Sequence, residues 1–288
     1  MLNISKAVLI TGCSSGIGRA TAKQLAANGW TVYATARRPE SIVDLAEAGC
    51  KTLALDVTDE ESMQAAIAEI EKNEDAVGVL INNAGYSQSG AIETVPMDKI
   101  RRQFETNVFG LVRMAQLVLP GMREQGWGKI VNISSVGGKL TLAGTGFYNA
   151  TKHAVESISD ALRFEVGGFG IDVIIIEPGL ITTEFANTVV NAMDGLNDCD
   201  GAYAEFHKNY TKTTQEFYST GSLVRFGAGP EAVAETIEKA ITTARPKTRY
   251  PVTPSAHMML AARKIMTDRM WDGYQGTMSA RPGEEKTN

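Results

Sequence analysis

Ser135, Tyr148 and Lys152 form a set that no packing rule requires and that acid–base chemistry uses. Tyr148 and Lys152 are four residues apart, and Tyr148 follows Ser135 by thirteen. On a helix, residues i and i+4 share a face, so the ammonium would lie close to the phenol. A free tyrosine has a pKa of about 10. A nearby cation lowers it, each unit corresponding to about 1.4 kcal/mol. A phenol tuned toward neutrality can give or take a proton at working pH. The same spacing also occurs where a solvated aromatic stands beside a solvated amine, so the surrounding chain has to decide.

The elements that would position these residues alternate along the chain. The apolar, β-rich runs are 7–11, 31–36, 52–56, 79–82, 129–134, 172–177 and 248–252. Helical patterns fall at 16–28, 41–48, 60–71, 97–123, 147–166, 231–243 and 256–269. Runs such as Val173-Ile174-Ile175-Ile176 are apolar without alternation, as suits strands buried on both faces of a parallel sheet. The order predicts an α/β fold: a doubly wound (Rossmann) parallel sheet of about seven strands with helices on both faces. The whole chain, 1–288, reads as a single domain. It carries an irregular insertion at about 186–229 and a C-terminal extension at about 254–288. In such sheets ligands bind beyond the carboxyl ends of the strands. The insertion follows the sixth strand and contains Tyr203, Phe206, Tyr210 and Phe217, with Phe185 just before it, so it is expected to be a lid.

The first strand runs into Thr11-Gly12-Cys13-Ser14-Ser15-Gly16-Ile17-Gly18, and a helix follows. Glycines at such a turn let the backbone approach a pyrophosphate. The helix N-terminus then offers free N–H groups and the positive end of its dipole. A ribose-binding carboxylate would be expected about 20 residues further on. The second strand ends instead in Thr35-Ala36-Arg37-Arg38. Arginine grips a 2′-phosphate through its planar donor fork. The expectation is therefore NADP(H) in preference to NAD(H), with Arg37 as the phosphate ligand.

Composition narrows the rest. Of 288 residues, 43% are hydrophobic and 21% charged, within the usual range for a globular protein. The net charge of −5 offers no basic field for nucleic acid. No apolar run is long enough for a signal peptide or a membrane span, which suggests a cytoplasmic protein. Cys13, Cys50 and Cys199 are scattered, and His153, His207 and His257 do not cluster with them. No metal site is expected, and a reducing compartment fits.

With these motifs assembled, the chain resembles the short-chain dehydrogenase/reductase family over residues 5–190 or so, and more loosely to about 270. The resemblance rests on Thr11–Gly18, Asp56-Val57, Asn82-Asn83-Ala84-Gly85, Asn107, Ser135, Tyr148-x3-Lys152, and Pro178-Gly179 with Thr183, in the family's order and spacing. The glycine spacing matches the short single-domain branch. The resemblance implies roles. Tyr148 would be the general acid in reduction and the base in oxidation. Lys152 would lower the Tyr148 pKa and bind the nicotinamide ribose. Ser135 would polarise the substrate carbonyl, and Asn107 would hold a water linking Lys152 to solvent. Gly12, Ser14, Ser15, Gly16, Ile17 and Gly18 would carry the phosphates. Asp56 and Val57 would hold the adenine, and Asn83, Ala84 and Gly85 would line the cleft. Pro178, Gly179, Ile181 and Thr183 would face the nicotinamide.

The substrate pocket is expected to use Val136 and Leu142 after Ser135, then Leu180, Phe185, Val189 and Met193 after strand six. These are apolar, and Lys139 is expected to face solvent, so no cationic cluster awaits a carboxylate or phosphate. A small hydrophobic ketone or secondary alcohol follows as substrate. Within the family, Ser134–Gly138 and Val32–Arg37 look like the hydroxysteroid and retinol dehydrogenase-like branch, which suggests a steroid-like or aryl ketone. The helices at 97–123 and 147–166 are the family's usual dimer face, so a homodimer or homotetramer is expected. The expected activity is that of an NADPH-dependent carbonyl reductase running reversibly as an alcohol dehydrogenase. Two alternatives stand beside it: an NADP-dependent epimerase or dehydratase, and an NADP-binding redox-sensing regulator. The glycine spacing disfavours the first, and the complete set Asn107, Ser135, Tyr148 and Lys152 disfavours the second.

Overall fold

Period-two alternation in the central strands builds this fold from the inside. In the computed structural model, which describes residues 4–184, 188–189, 192–193, 201–219, 224–278 and 281–283, Val8 and Ile10 point to one face of strand β1 (Val8–Ile10) and Leu9 to the other. Both faces are apolar, so the sheet is covered on both sides. One core holds Val8, Ile10, Val79, Ile81, Val131, Ile174 and Ile176. The opposite core holds Leu9, Leu80, Ile130, Val173 and Met114.

The sheet has seven parallel strands in the order β3-β2-β1-β4-β5-β6-β7. The others are β2 (Val32–Ala36), β3 (Lys51–Ala54), β4 (Val79–Asn82), β5 (Gly128–Ile133), β6 (Ile171–Pro178) and β7 (Arg249–Val252). The order reverses at β1 and β4, and the crevice outside their carboxyl ends is where such sheets bind ligands. The doubly wound α/β architecture expected from the sequence is the one observed.

Helices α1 (Gly16–Ala27), α2 (Val43–Glu47) and α3 (Glu60–Glu74) follow the first three strands. The single helix expected at 97–123 is three pieces. They are α4 (Met97–Phe104), a π-helical turn at Glu105–Phe109, and α5 (Gly110–Gln125). Helix α6 (Gly146–Val166) carries the Tyr148-x3-Lys152 pair.

The insertion is less irregular than its composition suggests, because it contains helix α7 (Ala204–Ser219). Helix α8 (Pro230–Thr242) starts with proline at a first-turn position, where its missing N–H costs nothing. The C-terminal extension is two helices, α9 (Pro254–Ile265) and α10 (Asp268–Met278), where one was expected at 256–269. Met266 adopts an extended backbone and ends α9. Trp271 on α10 donates its indole N–H to the Thr141 carbonyl at 2.8 Å and packs with Val136, Leu140 and Ala256. The extension is thus fastened to the segment just after Ser135. No helix among the described residues is long and apolar enough to cross a membrane.

Candidate active site

The glycine turn after β1 is held by the loop after β4. The Thr11 hydroxyl accepts from the backbone N–H groups of Asn83 and Ala84, each at 3.0 Å. The Asn83 amide donates to the Thr11 and Gly12 carbonyls at 2.9 and 3.0 Å. Gly12 has a positive φ of 75°, and a Cβ there would stand 2.9 Å from the Ala84 Cα. At Gly18 a Cβ would collide with the Asn83 amide and the Gly12 carbonyl. Gly18 →Ala should therefore cost about 1–3 kcal/mol through overpacking. A thermal melt checks this as a drop of several degrees, and an unchanged melting temperature would refute the packing role.

A cleft of about 2120 Å³, counted to its open mouth, runs along the carboxyl ends of the strands. Gly12, Ser14, Ser15, Gly16 and Ile17 line it, as do Arg37, Asp56, Val57 and Asn83–Gly85. Ser135, Tyr148, Lys152, Pro178, Gly179, Ile181 and Thr183 line its inner end. Gly18 and Asn107 lie behind this surface. The sequence reading missed Lys99, Arg102 and Thr106, which face the same cleft from α4 and the π-helical turn. Their signal, a cationic i, i+3 pair on the helix after the Asn-Asn-Ala-Gly loop, is present in the sequence.

The elongated cleft, with its glycine turn at one end and Arg37 beyond β2, fits a dinucleotide. Burial raises the pKa of Tyr86, and the charges of Arg102 and Arg37 oppose that rise, so both guanidinium groups act on the same part of the cleft.

A second cavity, about 1050 Å³ with its mouth, opens on the other side of Tyr148. Of the expected substrate residues, Val136, Leu142, Leu180 and Val189 line it. Met193 does not; it is fully buried with Val95 and Ile100, and Tyr210 of α7 packs against that cluster. Phe185 lies outside the described residues. Helix α7 contributes Tyr210, Thr213 and Thr214, and the C-terminal extension contributes Met259, Gln275 and Met278. The last three escaped the sequence reading. Gln275 also accepts from the Ala143 backbone N–H at 2.7 Å, which fixes this wall.

Ser135, Tyr148 and Gly179 line both cavities. Ser135 caps the start of the short helical turn Val136–Gly138 after β5, where its hydroxyl accepts from the Gly137 N–H at 3.1 Å and is hydrogen-bonded to the Tyr148 phenol. Ser134 is buried, and its side-chain oxygen has no hydrogen-bond partner in the structure. Lys152 is buried with its Nζ donating to the Ile133 carbonyl at 2.8 Å.

The charge states differ from the expectation drawn from spacing. The Lys152 Nζ stands 5.7 Å from the centre of the Tyr148 ring, within cation–π range. Yet burial pushes the phenol up to about 12, with the Ser135 hydrogen bond opposing it. The reason is that the same enclosure weakens the cation: burial lowers Lys152 to about 8, while the charge of Glu156 acts the other way. Desolvation penalises whichever form is charged, and here it outweighs the pairing.

Asn107 sits in the π-helical turn, fully buried. Its side-chain oxygen accepts from Tyr86 N at 3.0 Å. Its amide donates to Tyr86 O at 2.8 Å and to the Thr151 hydroxyl at 3.1 Å. It braces the Gly85–Tyr86 loop against α6, one residue from Lys152. Lys139 faces solvent as expected, and its ammonium also pairs with buried Glu156 at 2.8 Å. Among the described residues no group of His, Cys, Asp or Glu is placed to hold a metal ion.

This arrangement sits in a recognisable family. The family model for short chain dehydrogenases matches residues 6–194. The chain is 36% identical over 273 residues to an NADPH-dependent 3-dehydrocapnine reductase from Ornithobacterium rhinotracheale, covering 92% of this chain and 94% of that one. It is 34% identical over 259 residues to human 17-beta-hydroxysteroid dehydrogenase type 1, covering 85% and 77% respectively. A short-chain dehydrogenase structure from Streptomyces avermitilis superposes with a TM-score of 0.76 at 35% identity, covering 95% of each chain. The protein belongs to the short-chain dehydrogenase/reductase family and is an oxidoreductase of that family. Its members bind nicotinamide cofactors, and solved relatives hold NADP+ in one case and NAD in another.

Proposed function

We propose that the protein is an NADPH-dependent reductase of a bulky, hydrophobic ketone, working in reverse as a secondary alcohol dehydrogenase. The observation that carries this is the position of Ser135, Tyr148 and Gly179 on the shared wall of the two cavities. A carbonyl entering from the apolar pocket meets the Ser135 hydroxyl and the Tyr148 phenol together. A bound NADPH contributes the hydride for the carbonyl carbon. The protein's own part is the oxygen. Ser135 donates to it and fixes its position. Tyr148, kept protonated by burial, holds the proton that the developing alkoxide needs. Lys152 is the cation beneath the phenol and the group for the nicotinamide ribose. Asn107 keeps Tyr86 and the Gly85 loop in register with Lys152 and is the proposed site of the relay water. The phosphates belong to the Gly12–Gly18 turn. Asp56 and Val57 hold the adenine end, with Asn83 to Gly85 below it. Pro178, Ile181 and Thr183 face the nicotinamide.

The preference for NADPH rests on Arg37 and on Arg102 and Lys99, which face it from α4. The named activity of the Ornithobacterium relative, an NADPH-dependent reductase, agrees with it. The substrate class rests on the apolar lining contributed by Val136, Leu142, Leu180 and Val189, closed by Met259 and Met278. The human relative's name, a hydroxysteroid dehydrogenase, points to a similarly bulky ligand. The deciding experiment follows absorbance at saturating NADPH, then NADH, against a panel of steroid, aryl and long-chain ketones. Silence across the panel would favour a cofactor-binding regulator.

The assembly we propose is a homodimer or homotetramer built on α5 and α6. Phe109, where α5 begins, is 55% exposed, and Phe164 on α6 is 90% exposed. Such apolar surface is usual at a protein interface. Sedimentation at micromolar concentration should show an oligomer that Phe164→Asp dissociates; a wild-type monomer would refute this.

A further inference from the structure

Behind Lys152, on the side away from both cavities, charged side chains gather around two glutamates. Glu156 lies one helical turn beyond Lys152 on α6, and Glu177 immediately precedes Pro178 and Gly179 on β6. Both are buried. The Glu156 Oε2 receives Lys139 at 2.8 Å and the Arg249 Nε at 2.9 Å. Arg249, from β7, reaches Asp160 at 2.7 Å and Glu177 at 3.5 Å. Arg163 also pairs with Asp160. The other Glu156 oxygen, Oε1, is buried with no donor. The Glu156 and Glu177 carboxylates both approach the same nitrogen, the Arg249 Nε, at 2.9 and 3.5 Å.

Two buried carboxylates drawn to one guanidinium nitrogen repel each other unless one holds a proton. That proton also gives the orphaned oxygen a donor, and like charges confined together favour this outcome. We propose that Glu156 and Glu177 are positioning residues: they share a single proton, and the resulting singly charged pair, clamped by Arg249 and Lys139, holds Lys152 as an ammonium ion beneath the tyrosine. The Lys152 part of this rests on the functional reading above; the shared proton does not.

The arrangement joins three walls of the site. Glu156 belongs to the helix of Tyr148 and Lys152. Glu177 adjoins the Pro178-Gly179 wall. Arg249 stands on the strand that leads into the C-terminal extension. Burial is the main force raising the Glu177 carboxyl to about 7, with the Glu156 charge adding to it and Lys139 and Arg249 opposing. A group that titrates as part of a pair reports on the pair. The folded chain then retains a proton that the unfolded chain, with an ordinary glutamate near 4.5, has released. Stability contributed here therefore falls as pH rises from about 4.5 to about 7 and levels off above.

The test uses the full chain and reads melting temperature from about pH 5 to about pH 8 together with the pH profile of kcat/KM for ketone reduction. Glu177→Gln keeps a neutral donor without a titratable proton. Its melting temperature should gain on the wild type by several degrees across that range. Glu156→Gln removes the counter-charge of Lys152, and the alkaline limb of kcat/KM should move to lower pH by about one unit. If Glu156→Gln does not fold, Lys139→Met, on the solvent side, serves instead. It takes a cation from the same pair and should move the stability loss to higher pH. A Glu177→Gln difference that is flat with pH overturns the shared proton. An unmoved alkaline limb in Glu156→Gln, or an unmoved stability loss in Lys139→Met, overturns the coupling. If the wild type reduces no ketone at all, the functional reading fails, and the melting series still decides the shared proton.

Discussion

Tyr148→Phe should lower kcat for ketone reduction by about 10²- to 10⁴-fold, the usual contribution of a positioned proton donor. Affinity for NADPH should change little. The substitution removes one oxygen from a ring whose remaining atoms still wall both cavities. It also leaves Lys152 donating to the Ile133 carbonyl, so the cation keeps its place. The measurement is steady-state turnover beside a fluorescence titration of NADPH. Loss of cofactor binding in parallel with turnover would mean that the phenol holds the cleft together and does not act as the acid. Because burial pushes the phenol up to about 12, the reductive rate should not fall through loss of the tyrosine proton near neutral pH. A limb near neutrality would have to belong to another group.

Arg37→Asp should reverse the cofactor preference. A hydrogen bond between charged groups contributes about 1.5–3 kcal/mol, which corresponds to roughly 10- to 150-fold in NADPH affinity. An aspartate at the end of β2 would repel a 2′-phosphate and accept from a free 2′-hydroxyl, so NADH affinity should rise as NADPH affinity falls. Arg102 and Lys99 remain in the variant, which sets the loss nearer the lower figure. Titration of both cofactors into both proteins measures the change. A variant that retains its full preference for NADPH would remove Arg37 from the site.

The parts of this protein that were readable from sequence are those whose physics is local. Apolar, β-rich runs identified all seven strands, although β3 begins at Lys51 and ends at Ala54, one or two residues before the run expected. The glycine turn was readable because Gly12 needs a backbone that other residues resist. Helix α7 was not. Its sequence is rich in Thr and aromatic residues, which are weak helix formers. Its buried stripe of Phe206, His207 and Thr214 has meaning only once the facing wall exists. Helix α10 carries Gly273 and Gly276 and is held through Trp271 to a distant carbonyl. The same limit explains the tyrosine. Spacing shows which charges are neighbours, but the extent of desolvation depends on the whole fold. Glu156 and Glu177 likewise read as ordinary acids until β7 places Arg249 between them.

The π-helical turn at Glu105–Phe109 has a consequence for how this chain tolerates change. A π-turn holds one more residue than the α-turn it replaces. It works as a phase shift: the helix after it is rotated by about 100°, the angle of one residue, relative to an unbroken α-helix. Deleting any one residue between Glu105 and Phe109 would leave a helix with better local geometry and the wrong phase. Asn107 would swing away from Tyr86 and Thr151, and the cationic face of α4 would lose its alignment with the helix that follows. A shorter chain could thus fold around its core and still present its cofactor cleft out of step with its proton donor.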